Sequence, residues 1–132
     1  MHITLESDYA IRIIDCLAKA DSRLSAKIIS ERTGVSLRFA LKILSKLCKA
    51  EIIRSFSGKA GGYELNRSPH DINLRDIIET VDGPIMINRC EKNCVCSGVD
   101  NLELCVYYRI FNEMSEMIRA RLASVNFDKS AL

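Results

Sequence analysis

The sequence predicts a mainly α fold with a small β-wing, a winged helix-turn-helix extended by a long C-terminal dimerisation helix. Three observations predict it. Helical periodicity over residues 26–32 and 36–50 is interrupted at Thr33-Gly34, the pattern of two helices joined by a tight turn. Two β-prone runs, 52–56 and 63–65, then bracket the glycine-rich Gly58-Lys59-Ala60-Gly61-Gly62. Residues 102–125 form a long periodic stretch with neither glycine nor proline.

In chain order, Thr4 to Ser7 leads into a first helix whose apolar stripe is Tyr9, Ile13, Ile14, Leu17 and Ala18. Asp8 complements the positive end of its dipole and precedes Arg12 by one helical turn, a spacing that favours an ion pair. Residues 21–23 make the connection, and Ser25 is a natural cap for the second helix. After the wing, Asn73 caps a helix over 74–81 with Leu74, Ile77, Ile78 and Val81 inward, and Asp82-Gly83-Pro84 ends it. Residues 85–101 show no sustained periodicity, and so long an irregular stretch in a small domain points to function. The long C-terminal run carries two apolar stripes, one through Tyr108, Phe111 and Leu122, the other through Tyr107, Ile110, Met114 and Met117. That is more apolar surface than a small winged domain covers, so a homodimer is expected. The chain thus divides into a winged DNA-binding unit at 1–83, a cysteine-rich loop at 84–101, a dimerisation helix at 102–125 and a frayed tail at 126–132.

The second helix of the helix-turn-helix carries the argument for DNA. Ser36 caps its start, Phe39, Ala40, Ile43, Leu44 and Leu47 form an apolar face, and Arg38, Lys42, Ser45, Lys46 and Lys49 fall on the other. Such a helix has the shape and charge for a major groove. Ser57 and Lys59, near the tip of the wing, are placed to meet phosphates or the minor groove. A solvated basic face on an ordinary helical hairpin explains the helix alone; a wing directly after it favours double-stranded operator DNA. The net charge of +2 is uninformative, but its distribution is not. Residues 1–68 hold 12 Lys+Arg against 7 Asp+Glu, or +5, and residues 69–132 hold 7 against 10, or −3.

No apolar run is long enough to span a membrane and the N-terminus has no basic-then-hydrophobic signal, so a cytoplasmic protein without a membrane partner is expected. Only two histidines, no nucleophile–base pair and no phosphate-binding glycine loop argue against catalysis. Six cysteines without a secretion signal argue against a disulfide framework. Cys16 and Cys48 lie in helical patterns and read as small core residues. Cys90, Cys94, Cys96 and Cys105 crowd into sixteen positions as C-x3-C-x-C-x8-C. Thiolates select zinc, copper(I) or iron–sulfur clusters. The spacing lacks paired C-x2-C knuckles, which turns it from zinc towards iron–sulfur ligation, whose spacing is looser and often drawn from a loop. A metal-free dithiol switch is the other alternative.

These parts, in this order, resemble the iron-sulfur-type winged-helix transcription regulators that include IscR, NsrR and the cluster-free CymR. The resemblance is carried by Leu5-Glu6-Ser7-Asp8-Tyr9-Ala10-Ile11-Arg12, Val35-Ser36-Leu37-Arg38-Phe39, Gly61-Gly62-Tyr63, Asp76-Ile77-Ile78 and a cysteine loop running into the long helix. It implies an iron–sulfur cluster, 2Fe-2S before 4Fe-4S, held by three loop cysteines. Cys90 and Cys96 keep the family's gap of five intervening residues, and Cys105 fits the third place at a longer distance than in IscR-like members. The histidine completing the IscR site is Tyr108 here. Asp8 matches the partner-subunit aspartate of NsrR-like members and Cys94 is an extra thiol, so the fourth ligand is Asp8 or Cys94. Ser57 stands where IscR-like members carry an arginine, with Lys59 close by. The implied function is a homodimeric, sequence-specific repressor sensing iron–sulfur status, redox state or nitric oxide. Its rivals are a metal-free CymR-like regulator sensing by cysteine oxidation or a protein partner, and an iron–sulfur electron carrier or enzyme with an incidental winged helix.

Overall fold

The structure, a computed structural model, describes residues 2–90 and 101–128. Its first four α-helices begin where the sequence supplies a short polar side chain. Thr4, Ser25, Ser36 and Asn73 accept backbone N–H bonds at the starts of α1 (Leu5–Ala18), α2 (Ala26–Thr33), α3 (Leu37–Lys49) and α4 (Leu74–Asp82). Helix α5 (Val106–Ala123) follows Cys105 without a side-chain cap. Between α2 and α3 the chain turns at Gly34, whose φ of 72° is left-handed. The Ser30 hydroxyl donates to the Val35 carbonyl at 2.6 Å across this corner, and Val35 is buried beneath it.

The wing pairs β1 (Ile53–Phe56) antiparallel with β2 (Gly62–Leu65), Ile53 opposite Leu65 and Phe56 opposite Gly62. Its base is held from the other side by Leu24, whose N–H donates to the Tyr63 carbonyl at 3.1 Å while the Tyr63 N–H donates back at 2.8 Å. This close approach requires glycine at position 62, because a Cβ there would lie 2.8 Å from the Leu24 carbonyl oxygen and φ is +132°. The core joins Ile13, Ile14, Ile43, Leu44, Ile53 and Ile77, from four different elements. Helix α1 packs on α2, α3 and α4, and α4 on α5.

The helix expected over 102–125 begins as a 3-10 turn, Leu102–Leu104, and turns α-helical only after the extended Cys105, at φ −78° and ψ 114°. The tail expected to fray from 126 is docked as far as Asp128. Asn126 bridges to Asn73, the Leu74 N–H donates to the Val125 carbonyl at 2.9 Å, and the Phe127 N–H lies 3.1 and 3.2 Å from the Pro69 and Ile72 carbonyls. Phe127 joins the core at 8% exposure, a lone aromatic with no periodicity to announce it. Phe39, expected inside, is 46% exposed and meets Tyr9 edge-on at 6.0 Å, because α3 turns this position to its flank.

Candidate functional site

Helix α3 is built from LRFALKILSKLCK and contains no carboxylate. Ala40, Ile43, Leu44 and Leu47 are buried, leaving Arg38, Lys42, Ser45 and Lys49 exposed. Ser36 is exposed just ahead of the helix, with its hydroxyl accepting from the Phe39 N–H at 3.4 Å. The cations divide by partner. Lys46 is half-buried, 2.9 Å from a Glu6 carboxylate oxygen and donating to the Val81 carbonyl at 3.1 Å. Lys42 lies 3.4 Å from Glu6. The Lys46 hydrogen bond, against the opposing effect of desolvation and with help from Lys42, holds the Glu6 carboxyl below its ordinary range. No ion pair engages Arg38 or Lys49 among the described residues.

Two leucines that sequence periodicity did not single out, Leu37 and Leu41, are also on the exposed side of α3, each at 45%. In the wing, Ser57 and Lys59 are exposed between the strands. Behind them Arg23 and Arg54 converge on Glu64, at 3.2 and 2.7 Å, and on the Phe56 ring, at 3.3 and 5.4 Å from its centre. Arg23 also donates to the Ala60 carbonyl at 3.3 Å, bracing the wing loop. Arg54 lies directly opposite Glu64 across the strands, a cross-strand pairing readable from the hairpin register, whereas Arg23 comes from outside the hairpin.

Cys90 and Cys105 are half-buried at the two described edges of the cysteine segment; Cys94 and Cys96 lie outside the described residues. Cys105 occupies the N-cap position of α5, and its side chain makes no capping bond. Asp8 pairs with Arg12 at 2.7 Å, as their spacing predicts. Among the described residues no three His, Cys, Asp or Glu side chains gather to hold a metal. The donor chemistry fits a thiolate-bound group, since four thiols fall within sixteen positions and Cys105 is not used for capping. Cys16 and Cys48 stand apart, packed against the core, and burial raises both thiols. The chain leading to Cys90 is fixed to α5: the Ile87 N–H donates to the buried Ser115 hydroxyl at 3.0 Å, and Arg119 donates to the Ile85 carbonyl at 2.5 Å. No helix among the described residues is long and apolar enough to cross a membrane.

A helix-turn-helix whose second helix presents an exposed basic face without carboxylates, followed at once by a two-stranded wing, defines a winged-helix DNA-binding regulator. The chain belongs to the Rrf2 family, described as iron-dependent transcriptional regulator, which it matches over residues 3–130. It is 29% identical over 131 residues to the HTH-type transcriptional regulator IscR of Xenorhabdus nematophila, covering 98% of this chain and 78% of that protein. A second IscR, from Photorhabdus laumondii, is 28% identical with the same coverage. The fold is shared with CymR, the global cysteine regulator of B. subtilis, at a TM-score of 0.75 and 24% identity, covering 99% of this chain and 96% of that one. It is also shared with T. potens IscR, at 0.76 and 24%, covering 96% and 83%. These relatives are transcriptional regulators and not enzymes, and the chain is a transcriptional regulator of the same kind.

Proposed function

We propose that this regulator is a homodimeric, sequence-specific repressor whose hold on operator DNA is set by an iron–sulfur cluster, acting in the cytoplasm where its DNA is. The observation that carries the DNA half is the carboxylate-free outer face of α3, with Arg38 and Lys49 unengaged by any ion pair among the described residues, beside a wing bearing Ser57 and Lys59. Ser36, Lys42 and Ser45 flank that face, while Lys46 braces it from behind. The dimer reading is supported by α5 and the turn before it, where Leu104, Tyr107 and Met117 are 76%, 74% and 66% exposed.

Cys90, Cys96 and Cys105 would hold the cluster, with Asp8 or Cys94 fourth, and 2Fe-2S is favoured over 4Fe-4S. When bound it supplies a centre sensitive to oxidation, nitric oxide and iron–sulfur supply. Asp8 would have to leave Arg12 to serve as a ligand. The chain's own connections indicate how the state of the cysteine segment reaches DNA. Ser115 and Arg119 join the residues before Cys90 to α5, and Thr4 and Ser7 donate to Asp82 at 2.7 and 2.6 Å, tying the end of α4 to α1. Lys46 then links Val81 to α3. A coupling free energy of about 1–3 kcal/mol between the two sites is the usual scale.

The test is anaerobic purification with iron and acid-labile sulfide analysis, on native protein and on Cys90→Ala, Cys94→Ala, Cys96→Ala and Cys105→Ala, followed by promoter binding and analytical ultracentrifugation. Sulfide lost in three variants and kept in one names the ligands. Equal promoter affinity with and without the cluster removes the sensing claim. Absence of sulfide from native protein replaces it with thiol-based or partner sensing, and a monomer in the ultracentrifuge removes the dimer.

A further inference from the structure

The exposed face of α3 is not uniformly polar. Leu37 and Leu41, one helical turn apart, are each 45% exposed, and neither packs against the core cluster. They stand beside Arg38, Lys42 and Ser45 on a helix with no carboxylate, so cations and a hydroxyl frame the apolar pair. This combination calls for a polyanion that carries apolar groups between its charges. Duplex DNA offers one such group on its major-groove edge, the 5-methyl of thymine. Position favours the same occupant: Leu37 is the first residue of α3 and Leu41 the fifth, and the N-terminal part of a recognition helix is what reaches base edges.

We infer that Leu37 and Leu41 read thymine methyl groups in the major groove and are specificity-determining residues of this regulator. The inference rests on the DNA-binding reading of α3. It assigns Arg38 and Lys49 to phosphates or base edges and gives the discrimination of thymine from cytosine to the leucines.

Full-length protein would be used to enrich binding sites from a random duplex library, and thymines in the enriched site would be replaced one at a time by deoxyuridine, which removes only the methyl group. Native protein is expected to bind roughly fourfold more weakly for each contacted methyl lost, the value of one buried methyl-sized contact. Leu37→Ala and Leu41→Ala each bind the thymine and uracil duplexes equally at the matching position. Native protein that binds thymine and uracil duplexes equally at every position overturns the inference and leaves DNA binding standing. A library from which nothing is enriched overturns both. The uracil comparison uses native protein and does not depend on how the variants fold.

Discussion

The ammonium group of Lys46 lies 2.9 Å from the Glu6 carboxylate, so the recognition helix is pinned to the first turn of α1 by a pair remote in sequence. Because the Lys46 bond keeps Glu6 below the ordinary glutamate range, the folded protein binds fewer protons here than the unfolded chain. The stabilisation is complete above the unfolded value of about 4.3 and is lost as pH falls through the lower folded value. Thermal melts of native protein and Glu6→Gln should therefore differ at pH 7 and converge in acid. A gap that stays constant down to acid pH would refute the linkage.

Lys46 and Lys49 belong to one helix and should behave oppositely on DNA. Lys49→Ala is expected to lower the slope of log affinity against log salt by about 0.9, the loss of one phosphate contact. Lys46→Met should leave that slope where it was while lowering the melting temperature, since Lys46 is occupied by Glu6 and Val81. Equal slope changes would show that both lysines reach phosphate.

Two wing glycines separate steric need from conformational freedom. Gly62→Ala forces a Cβ to within 2.8 Å of the Leu24 carbonyl at a φ of +132°, with an expected cost above about 2 kcal/mol. Gly58 has φ +88° but open space around it, so Gly58→Ala should cost about 1 kcal/mol from backbone strain alone. Denaturant melts rank the two, and equal costs would argue against the contact between Leu24 and β2.

Phe127→Ala should destabilise by about 3 kcal/mol, as expected for a buried ring. Deleting residues 126–132 should do at least as much. Urea unfolding that is indifferent to either change would return this segment to the frayed tail expected from sequence.

What the sequence made legible was local. Ser25, Ser36 and Asn73 announce their helices through capping chemistry, Gly34 announces the turn, and the Asp8–Arg12 pair follows from helical spacing. What escaped depends on tertiary neighbours. Lys46 and Lys49 look alike until Glu6 and Val81 are placed beside one of them. Phe127 is a single aromatic whose burial is decided by Pro69 and Ile72, far back in the chain. The exposure of Leu37 and Leu41 runs against the assumption that leucines on an amphipathic helix point inward. Of the four clustered cysteines, Cys90 and Cys105 are found bordering the segment, and Cys94 and Cys96 lie outside the described residues.

The docking of residues 125–127 against Ile72, Asn73 and Leu74 also gives α5 a mechanical character. Its far end is clamped to the winged unit, while Cys105 stands at the other end of 18 helical residues, a rod of about 27 Å. Swinging that rod by about five degrees about the clamp carries Cys105 through about 2 Å, the size of shift by which helices at interfaces commonly switch. The long helix therefore acts as a lever, with its fulcrum at the bridge between Asn73 and Asn126.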